Sequence, residues 1–578
     1  MRLADYVMER IYNLGVKDIF SVSGRGTLFL TDAVAKLTNL NYVATHHEQS
    51  AGFAAVAYAQ YNNHLGVCLV STGCGSTNAI TPLLSAWQDG VPVLFISGQH
   101  NLKETSYYTG LNIRSYGQQE TNIIKLVKPI TKFATMVTEP SSIEDVINEA
   151  LKQMMTGRKG PAWIDIPLDI QSAQIENSAI GKGIIDDKLT QKIENLEEFN
   201  LVKNVLNSSK KPMMLIGSGV RSSDAIEELK IFVEKNRIPV VFTPSAADIY
   251  GSKNTYSIGS VGAMGCSRAG NISMQQSDLL IIIGSKLNSQ ITGSDFENFA
   301  PSAFKVVVDI DREEHSKRSV KIDKFFENDA KYFLNQLIKT ELDLNIENWI
   351  QECLFLKNKF MEIEKPFNQV DKIELHMFSK FLSNHLPEDA VLVTDSGLVE
   401  LILPSNVAFS NSQRCLHPSS QGSMGYALPA AIGASFASKK DIFVVVGDGS
   451  IMMNLQELQT MKFNELPIKL FVLNNNAYSI IRKRQNELFR GRTIGTDSSN
   501  GLDCPDFNKI ADSFGFDYIK IMNHKELQKF GPTVIKSNRP ILCELIGYED
   551  QNYVQIAPFK DDKGAIKKGL LEHQSPFI

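Results

Sequence analysis

The sequence predicts an α/β protein made of three doubly wound parallel-sheet domains. Short apolar runs of strand length alternate along the chain with segments of helical periodicity. Most of these runs end in a glycine-rich or polar loop, which is typical of the carboxyl edge of an open parallel sheet. The chain has 578 residues, too many for one hydrophobic core. Together these observations predict several α/β domains with ligand sites at their sheet edges.

The composition excludes several classes of protein. Net charge is −5 without a strongly basic block, which argues against nucleic acid as the main partner. Seven scattered cysteines without a CxxC pair suit a reducing cytoplasm better than a disulfide framework or a zinc site. The first helix carries acidic residues rather than a signal sequence, and no apolar stretch approaches the roughly 20 residues of a membrane helix. We therefore expect a cytoplasmic protein with no nucleic-acid and no membrane partner.

The first predicted domain covers residues 1–175. Its strands are predicted at four apolar runs, 18–22, 41–45, 66–70 and 91–96. An alanine-rich run from Ser50 to Gln60 predicts a helix that permits close packing. The loops after the four strands are Ser23-Gly24-Arg25-Gly26, His46-His47-Glu48-Gln49, Ser71 to Asn78, and Ser97-Gly98-Gln99.

A second α/β pattern predicts a central domain over residues 190–345, and a third domain is expected over 370–558, followed by a polar tail, 559–578. The polar stretch 176–200 and the charged stretch 340–370 are interpreted as linkers. The central strands are predicted at 212–216, 239–242, 279–283 and 306–308. Gly73-x-Gly75 and Gly447-x-Gly449 each follow an apolar run and precede a helix, which hints that the first and third domains share a fold.

The stretch from Asp441 to Tyr478 predicts a βαβ unit with polar groups at both strand ends. The run 442–446 turns through Gly447-Asp448-Gly449-Ser450 into a helical segment, and the next strand ends in Asn474-Asn475-Asn476. Carboxylate and amide oxygens suit magnesium, so Asp448, Asn475 and a carbonyl near Ala477 are candidate ligands of an Mg²⁺ that holds a diphosphate. Gly447 and Gly449 would let the backbone approach phosphates, and Ser450 would open a helix whose N-terminus favours anions. Taken alone, Gly-Asp-Gly is more often only a strand-to-helix turn, whereas the Asn-Asn loop at the end of the next strand favours the metal site.

Two features of the first domain leave alternatives open. Glu48 is either an exposed loop residue or a buried carboxyl with a raised pKa that suits proton transfer. The loop from Ser71 to Asn78 either meets a flat ligand through Gly73 and Gly75 or is a plain tight turn.

Taken together, these motifs resemble the acetolactate (acetohydroxyacid) synthase family of thiamine diphosphate-dependent enzymes from residue 1 to about 550. The strand–Gly447-Asp448-Gly449-Ser450…Asn474-Asn475 pattern is similar to the thiamine diphosphate motif. The other matching motifs are His47-Glu48-Gln49, Ser71 to Asn78, Ile96 to Gln99, Gln119-Glu120, Gly160 to Pro167, and Gly422 to Ala431.

The resemblance implies a mechanism and a set of site residues. Glu48 would hydrogen-bond the aminopyrimidine ring and promote removal of the C2 proton, and Met424 would hold the cofactor in a V shape. Gln119 and Gln99 would line the reaction chamber. The cofactor would act as electron sink while carbon dioxide leaves a 2-oxo acid. Further cofactor contacts are expected from Gly24, Gly73, Asn78, Gly422, Gly447, Asp448, Gly449, Ser450, Asn475 and Tyr478.

The resemblance also assigns the three domains and the assembly. The first would bind the pyrimidine, the third the diphosphate, and the central domain would be of the FAD-binding type. FAD contacts are expected at Gly217, Gly284, Ser285 and Asp309, although related enzymes keep this fold without flavin. Glu48 and Asp448 would serve one site from different chains, so we expect a homodimer or homotetramer with active sites at the subunit interface.

Two departures from the family bear on the acceptor. Ser23-Gly24-Arg25-Gly26 replaces the usual Pro-Gly-Gly-Ala, and Arg484 stands where the family usually has tryptophan. A solvated basic helix end accounts for Arg482 and Lys483, whereas Arg25 and Arg484 suggest an acceptor larger and more anionic than a second pyruvate, such as a nucleotide-linked keto sugar.

The sequence leaves three possible functions. The first is carboligation, in which pyruvate is decarboxylated and the two-carbon unit is joined to a carbonyl acceptor. A simple 2-oxo acid decarboxylase is the second, although residues 105–120 lack the paired histidines of such enzymes. A non-catalytic binding protein is the third, and Glu48, Asp448 and Asn475 together argue against it.

Overall fold

The structure is a computed structural model, and it describes residues 1–176, 196–317, 319–362, 364–560, 564, 566–567 and 569–576. These residues form two compact units. The first contains the described part of Met1–Leu189 with Ser420–Ile442 and Ser450–Ile468. The second contains the described parts of Thr190–Ser419 and Lys469–Ile578 with Phe443–Gly449. Within the described part of the chain, no helix has both the length and the apolar character needed to cross a bilayer.

The first sheet has six parallel strands in the order β2-β1-β3-β4-β6-β5. Every residue of β3 and β4 is buried, because helices cover both faces of a parallel sheet. The strands are β1 (Asp18–Ser21), β2 (Asn41–Ala44), β3 (Gly66–Val70), β4 (Val93–Gln99), β5 (Phe133–Met136) and β6 (Ala162–Pro167). The helices are α1 (Leu3–Asn13), α2 (Leu28–Lys36), α3 (Glu48–Asn62), α4 (Cys74–Asn78), α5 (Ile80–Asp89), α6 (Ser106–Thr109), α7 (Ile123–Val127), α8 (Ile143–Met155) and α9 (Leu168–Ser172).

The central sheet, in the second unit, has the order β12-β11-β10-β7-β8-β9. This is the strand order of dinucleotide-binding sheets, whose order reverses between β7 and β10. Its strands are β7 (Pro212–Ile216), β8 (Val240–Phe242), β9 (Ser257–Ser260), β10 (Leu279–Ile283), β11 (Phe304–Asp309) and β12 (Lys324–Glu327). Its helices are α10 (Leu196–Ser208), α11 (Gly219–Ser222), α12 (Ile226–Asn236), α13 (Arg268–Gln275), α14 (Ser289–Thr292), α15 (Ala330–Ile338) and α16 (Glu347–Lys359).

The third sheet has the order β14-β13-β15-β16-β18-β17, which is the same topology as the first. The expected likeness of the first and third folds is therefore confirmed. Its strands are β13 (Val391–Thr394), β14 (Arg414–Leu416), β15 (Ile442–Gly447), β16 (Lys469–Asn474), β17 (Asp517–Ile521) and β18 (Ile541–Ile546). The helices in this stretch of the chain are α17 (Leu375–His385), α18 (Leu398–Asn406), α19 (Ala427–Ala437), α20 (Asp448–Ile451), α21 (Glu457–Phe463), α22 (Ser479–Phe489), α23 (Phe507–Phe514) and α24 (His524–Ile535). Of these, α19 and α21 belong to the first unit.

Helices α3 and α19 form a tight pair inside the first unit. A Cβ atom on Gly433 would lie 2.0 Å from the carbonyl oxygen of Ala54, so a glycine is required there. Small residues line both helices, as the alanine-rich run predicts, and they let the two backbones meet. Glu48 is the first residue of α3, and Met424 lies in the turn just before α19.

Three expectations about local structure differ from the structure. The charged stretch 340–370 contains α16, a packed helix whose buried Trp349 donates from Nε1 to the carbonyl of Pro212 over 2.9 Å. Strand β4 runs on through Gln99, beyond the apolar run that predicts it. The single helix expected over 451–461 is two helices, and the first of them begins at Asp448 rather than Ser450. Most of the other expected linker, residues 177–195, lies outside the described residues.

The polar tail is anchored to the second unit. It contains β20 (Phe559–Lys560), β21 (Ile566–Lys567) and β22 (Gln574–Ser575), and β22 pairs with β19 (Gln555–Ile556). The buried Arg268 at the start of α13 donates to the carbonyls of Gln574 and Pro576 and forms an ion pair with Glu364 at 2.7 Å.

Candidate functional site

The loops after β1 and β3 meet where the strand order of the first sheet reverses. A Cβ atom on Gly24 would lie 2.4 Å from Ser71 Oγ, and the Gly26 N–H donates to the same oxygen over 3.2 Å. This is the position at which open parallel sheets bind ligands. Arg25 begins a short 3-10 turn here, and its side chain is exposed.

Glu48 is the first residue of α3 and is half-buried, so it is neither a loop residue nor a fully buried carboxyl. The helix begins here because the side chain of His47 accepts a hydrogen bond from the Gln49 N–H at 3.1 Å. A carboxylate is favourable at this end of a helix. Asn78 Nδ2 donates to Glu48 Oε2 over 3.0 Å, and a Cβ atom on Gly75 would lie 3.2 Å from Oε1.

Gly73 is a glycine because of a neighbouring peptide group. Its φ is +63°, and a Cβ atom there would lie 2.0 Å from the carbonyl oxygen of Gln119. Gln119 is exposed and itself has a φ of +64°. The two predicted site residues are therefore adjacent, and the contact between them accounts for Gly73 without a flat ligand.

Gln99 differs from the expectation that it lines an open chamber, because its side chain is only 1% exposed. Its Nε2 donates to the carbonyl of Thr121 over 2.9 Å and to Asp165 Oδ2 over 3.3 Å. Its Oε1 accepts from the His100 N–H at 3.1 Å and from the hydroxyl of Thr72. Every polar group of the amide is thus already in use.

Met424 is half-buried in the turn before α19, and Gly422 in the same turn has a φ of +60°. Asn454 ties this turn to the first turn of α3. Its Nδ2 donates to the Gly425 carbonyl over 2.7 Å and to Gln49 Oε1 over 3.1 Å. Polar side chains therefore hold the Met424 turn in place within the first unit.

In the second unit, Asp448 is a buried carboxylate surrounded by backbone N–H groups. It is 3% exposed, and its oxygens accept from Gly449 N at 2.8 Å, Asn475 N at 3.1 Å and Asn476 N at 2.6 Å. Burial raises the pKa of Asp448, whereas these hydrogen bonds lower it, and the result is a pKa of about 6. The adjacent strands β15 and β16 bring the Asp448 and Asn475 loops together, as the sequence predicts.

The donor set at Asp448 fits a magnesium ion. No described lysine, arginine or histidine forms an ion pair with this carboxylate, so a cation would neutralise its buried charge. Asn475 lies beside it, and among the described residues its amide oxygen accepts a single long hydrogen bond, 3.3 Å, from Ala477 N. No group of three or more His, Cys, Asp or Glu side chains suited to a metal occurs among the described residues. One carboxylate with amide and carbonyl oxygens is the set that magnesium accepts together with phosphates.

The two glycines of the Gly-Asp-Gly turn have different surroundings. A Cβ atom on Gly447 would meet nothing within 4 Å, whereas one on Gly449 would lie 2.0 Å from Cε1 of the Tyr478 ring. Gly449 is thus required by the packing of Tyr478, while Gly447 leaves space beside the strand end. Ser450, which follows, is buried.

The two arginines expected to face the acceptor differ in their contacts. The guanidinium of Arg25 forms no ion pair or hydrogen bond with any described residue. Arg484, on α22, is 46% exposed, pairs with Glu487 at 3.2 Å and lies 3.5 Å from Met264 Sδ. Arg482 is 21% exposed and pairs with Glu549 at 3.1 Å, so it is less solvated than the basic helix end that the sequence predicts.

The candidate flavin residues lie at the strand-order reversal of the central sheet. A Cβ atom on Gly217 would lie 2.2 Å from the carbonyl oxygen of Gly284, whose φ is +61°. Ser285 is buried beside them. At the end of β11, Asp309 accepts from Asp311 N at 3.0 Å and lies 3.2 Å from His315 Nε2. The place suits a dinucleotide, while the glycines are already explained by backbone packing and Asp309 Oδ1 already accepts a hydrogen bond.

Three groups near these residues were missed from sequence. Asp395, Ser396 and Gly397 follow β13 at the strand-order reversal of the third sheet, and the strand-then-polar-turn pattern could have found them. Buried Glu544 accepts from Asn474 Nδ2 at 2.6 Å, beside the metal-ligand candidate Asn475. Asp165, next to Gln99, lies inside the matching motif Gly160 to Pro167, but the sequence assigns it no role, because an acidic residue within an apolar strand does not by itself indicate a site.

Comparison with known proteins identifies the chain's relatives. Residues 1–126, 200–337 and 395–545 match the N-terminal TPP binding, central, and C-terminal TPP binding domains of thiamine pyrophosphate enzymes. The chain is 31% identical over 561 residues to the acetolactate synthase large subunit of Corynebacterium glutamicum, covering 95% of this chain and 87% of that protein. It is 30% identical over 583 residues to the acetolactate synthase isozyme 2 large subunit of Escherichia coli K12, covering 100% of both. The large subunit of Lactococcus lactis is 29% identical over 560 residues, 96% of this chain and 93% of that protein. The chain therefore belongs to the acetolactate synthase-like family of thiamine diphosphate-dependent enzymes.

Proposed function

We propose that the protein decarboxylates a 2-oxo acid, with pyruvate as the donor, and joins the two-carbon unit to a carbonyl acceptor. The observation that carries this proposal is the buried Asp448 carboxylate beside Asn475, which fits an Mg²⁺–diphosphate complex. Glu48, at the N-terminus of α3, supplies a carboxylate for proton transfer. The names of the relatives support carboligation over other reactions of the same cofactor.

The proposal assigns a role to each residue around the Gly-Asp-Gly turn. Asp448 and Asn475, with the carbonyl of Ala477, would hold the metal. The open side of Gly447 would admit phosphate oxygens, and the Tyr478 ring would support that turn. Thiamine diphosphate, when bound, supplies the electron sink for decarboxylation.

Glu48 would hold a proton at the pyrimidine side of the site. Asn78 donates to Oε2 and so orients the carboxylate, which leaves Oε1 beside Gly75 as the oxygen available to a ligand. Gln119 would contact the substrate, and Met424 would contact the cofactor.

We further propose that the enzyme is a homodimer or homotetramer in which Glu48 of one chain and Asp448 of another serve the same active site. Family membership supports this assembly. A cytoplasmic location and the domain boundaries 1–175, 190–345 and 370–558 stay predictions from the sequence. FAD binding by the central domain is proposed on the position of Gly217 and Gly284 at its strand-order reversal.

The test is product analysis of the purified protein with thiamine diphosphate, Mg²⁺ and pyruvate, with and without a panel of carbonyl acceptors. Release of carbon dioxide with a matching amount of ligated product supports the proposal. Carbon dioxide with free acetaldehyde alone would instead indicate the simple decarboxylase. No carbon dioxide from any 2-oxo acid, despite bound cofactor, would reject both.

A second candidate, acetyl transfer from pyruvate to a nucleotide-linked keto sugar, is favoured by Arg25. This exposed guanidinium has no described partner and suits a phosphate, which arginine binds with two parallel hydrogen bonds. Replacing Arg25 with Gln should raise the KM for such a sugar and leave the KM for pyruvate unchanged. Fast and selective acetolactate formation from pyruvate alone would count against this candidate.

A further inference from the structure

A buried chain of polar side chains runs between β4 and β6 in the first unit. Asp165, on β6, is fully buried, and Ser97 Oγ lies 2.6 Å from its Oδ1. Trp163 Nε1 donates to Ser97 Oγ over 2.8 Å. The second carboxylate oxygen, Oδ2, accepts from Gln99 Nε2 at 3.3 Å. A fully buried acid is costly unless its oxygens have partners, and here both oxygens have one.

The orientation of the Gln99 amide is fixed by a backbone group. The His100 N–H can only donate, so the atom it meets at 3.1 Å must be the oxygen of the amide. The nitrogen therefore faces Asp165 and the carbonyl of Thr121, and each of its two hydrogens has an acceptor. Without Asp165 the amide would lose one of these two acceptors.

Thr121 ends a segment that is anchored at its base and exposed at its tip. Glu120 is buried and accepts from Ser106 N, at 3.0 Å, and Tyr116 N, at 2.9 Å, which closes residues 106–120 into a loop. Gln119 lies between these anchors, with its carbonyl against Gly73. The exposed apolar side chains of the loop are Tyr108, Leu111, Ile113 and Tyr116.

We propose that Asp165 is a positioning residue that acts through Gln99 to fix the peptide at Thr121, and with it the loop that presents Gln119. The importance of that loop rests on the proposed function, in which Gln119 contacts the substrate. A charged carboxylate and a neutral carboxyl both leave Oδ2 as an acceptor for Gln99, so the role does not depend on the titration of Asp165.

Asp165→Leu keeps the branched shape and removes both acceptors, whereas Asp165→Asn keeps an acceptor oxygen for Gln99. Asp145→Leu, at an exposed position on α8, is the matched control for the same chemical change. Gln99→Met removes the amide that links Asp165 to the carbonyl of Thr121. The readouts are amide hydrogen exchange over residues 106–121, which requires no turnover, and kcat and KM for the 2-oxo acid.

Asp165→Leu should speed exchange across 106–121 relative to the rest of the sheet and lower kcat/KM by roughly tenfold, since small misplacements of a contacting group cost this much or more. Asp165→Asn should restore most of the protection, and Asp145→Leu should behave as the parent protein. Because Asp165 acts through Gln99, adding Asp165→Leu to Gln99→Met should cost no more than about a further twofold.

Normal exchange over 106–121 in Asp165→Leu would overturn the proposal. So would a double variant whose loss is the product of the two single losses, roughly a hundredfold. If Asp165→Leu does not fold, the Gln99→Met variant tests the proposal by itself. Unchanged exchange over 106–121 in Gln99→Met would show that the Gln99 contacts do not fix the loop. Faster exchange in a protein with no 2-oxo acid turnover would instead uphold the positioning role and reject the proposed function.

Discussion

Asn78 holds Glu48 by a single hydrogen bond, from Nδ2 to Oε2 over 3.0 Å, and leaves Oε1 beside Gly75. A glutamine at position 48 can still accept this bond but cannot carry the proton. We expect Glu48→Gln to lower turnover by about 10²–10⁴-fold, the contribution of a positioned acid–base group. Thiamine diphosphate binding, followed by circular dichroism, should persist. Glu139→Gln, at an exposed position in the same unit, is the control, and a Glu48→Gln enzyme with near-normal turnover would refute the assigned role.

Asp448→Asn should weaken Mg²⁺-dependent cofactor binding, because the amide lacks the charge that a buried cation needs. Loss of a supporting group at a metal site costs at least about tenfold in affinity, and a ligand should cost more. The measurement is the Mg²⁺ concentration that gives half-maximal thiamine diphosphate binding after removal of metal with a chelator. Asp371→Asn, an exposed change in the same unit, should leave that concentration unaltered. Equal Mg²⁺ requirements in the two variants would remove Asp448 from the metal site.

Gly447→Ala and Gly449→Ala form a matched pair: we expect the change at 449 to lower stability and the change at 447 to weaken cofactor binding. The alanine at 449 would meet the Tyr478 ring at 2.0 Å, and such overpacking costs about 1–3 kcal/mol. The alanine at 447 has open space, so its stability should stay within about 0.5 kcal/mol of the parent. Thermal unfolding without cofactor measures both. In the presence of Mg²⁺, Gly447→Ala should bind thiamine diphosphate more weakly, and unchanged affinity would show that phosphates do not use this side.

Asp165 should make stability depend on pH. Burial raises its pKa from 3.8 to about 7, so between these values the folded chain holds a proton that the unfolded chain has released. Stability from this group is therefore fully present below about pH 4 and is lost as the pH rises toward about 7, with a slope of at most about 1.4 kcal/mol per pH unit. Denaturant unfolding at several pH values, compared with Asp165→Asn, isolates the effect. A parent protein and variant with parallel pH profiles would contradict the burial effect on Asp165.

Much of the architecture could be predicted because parallel strands end at one edge. Asp448 and Asn475 follow neighbouring strands, so the topology alone brings this pair together. Glu48 and Asn78 follow β2 and β3, which β1 separates, so their hydrogen bond depends on the loops as well as on the sheet. The repeated Gly-x-Gly turns likewise indicated that the first and third sheets share a fold, which their identical strand order confirms.

The features that the sequence does not predict depend on contacts between residues far apart in the chain, which no local sequence pattern indicates. Ser97 and Gln99 are typical of a loop, yet they continue β4 because Asp165, far along the chain, satisfies them inside the core. The sequence predicts that Gly449 contacts phosphate, yet in the structure the Tyr478 ring packs against it. The charged stretch 340–370 resembled a linker because α16 buries only one side, with Trp349.

The contact between Gly433 and Ala54 limits how this enzyme can acquire new substrates. Two helices whose backbones touch cannot slide or tilt to enlarge a cavity, since even one added methyl group has no room. Segments with free surface, such as the Arg25 turn and the apolar tip between Tyr108 and Tyr116, do not have this restriction. Libraries aimed at a different substrate should be concentrated there, with the α3–α19 pair left unchanged.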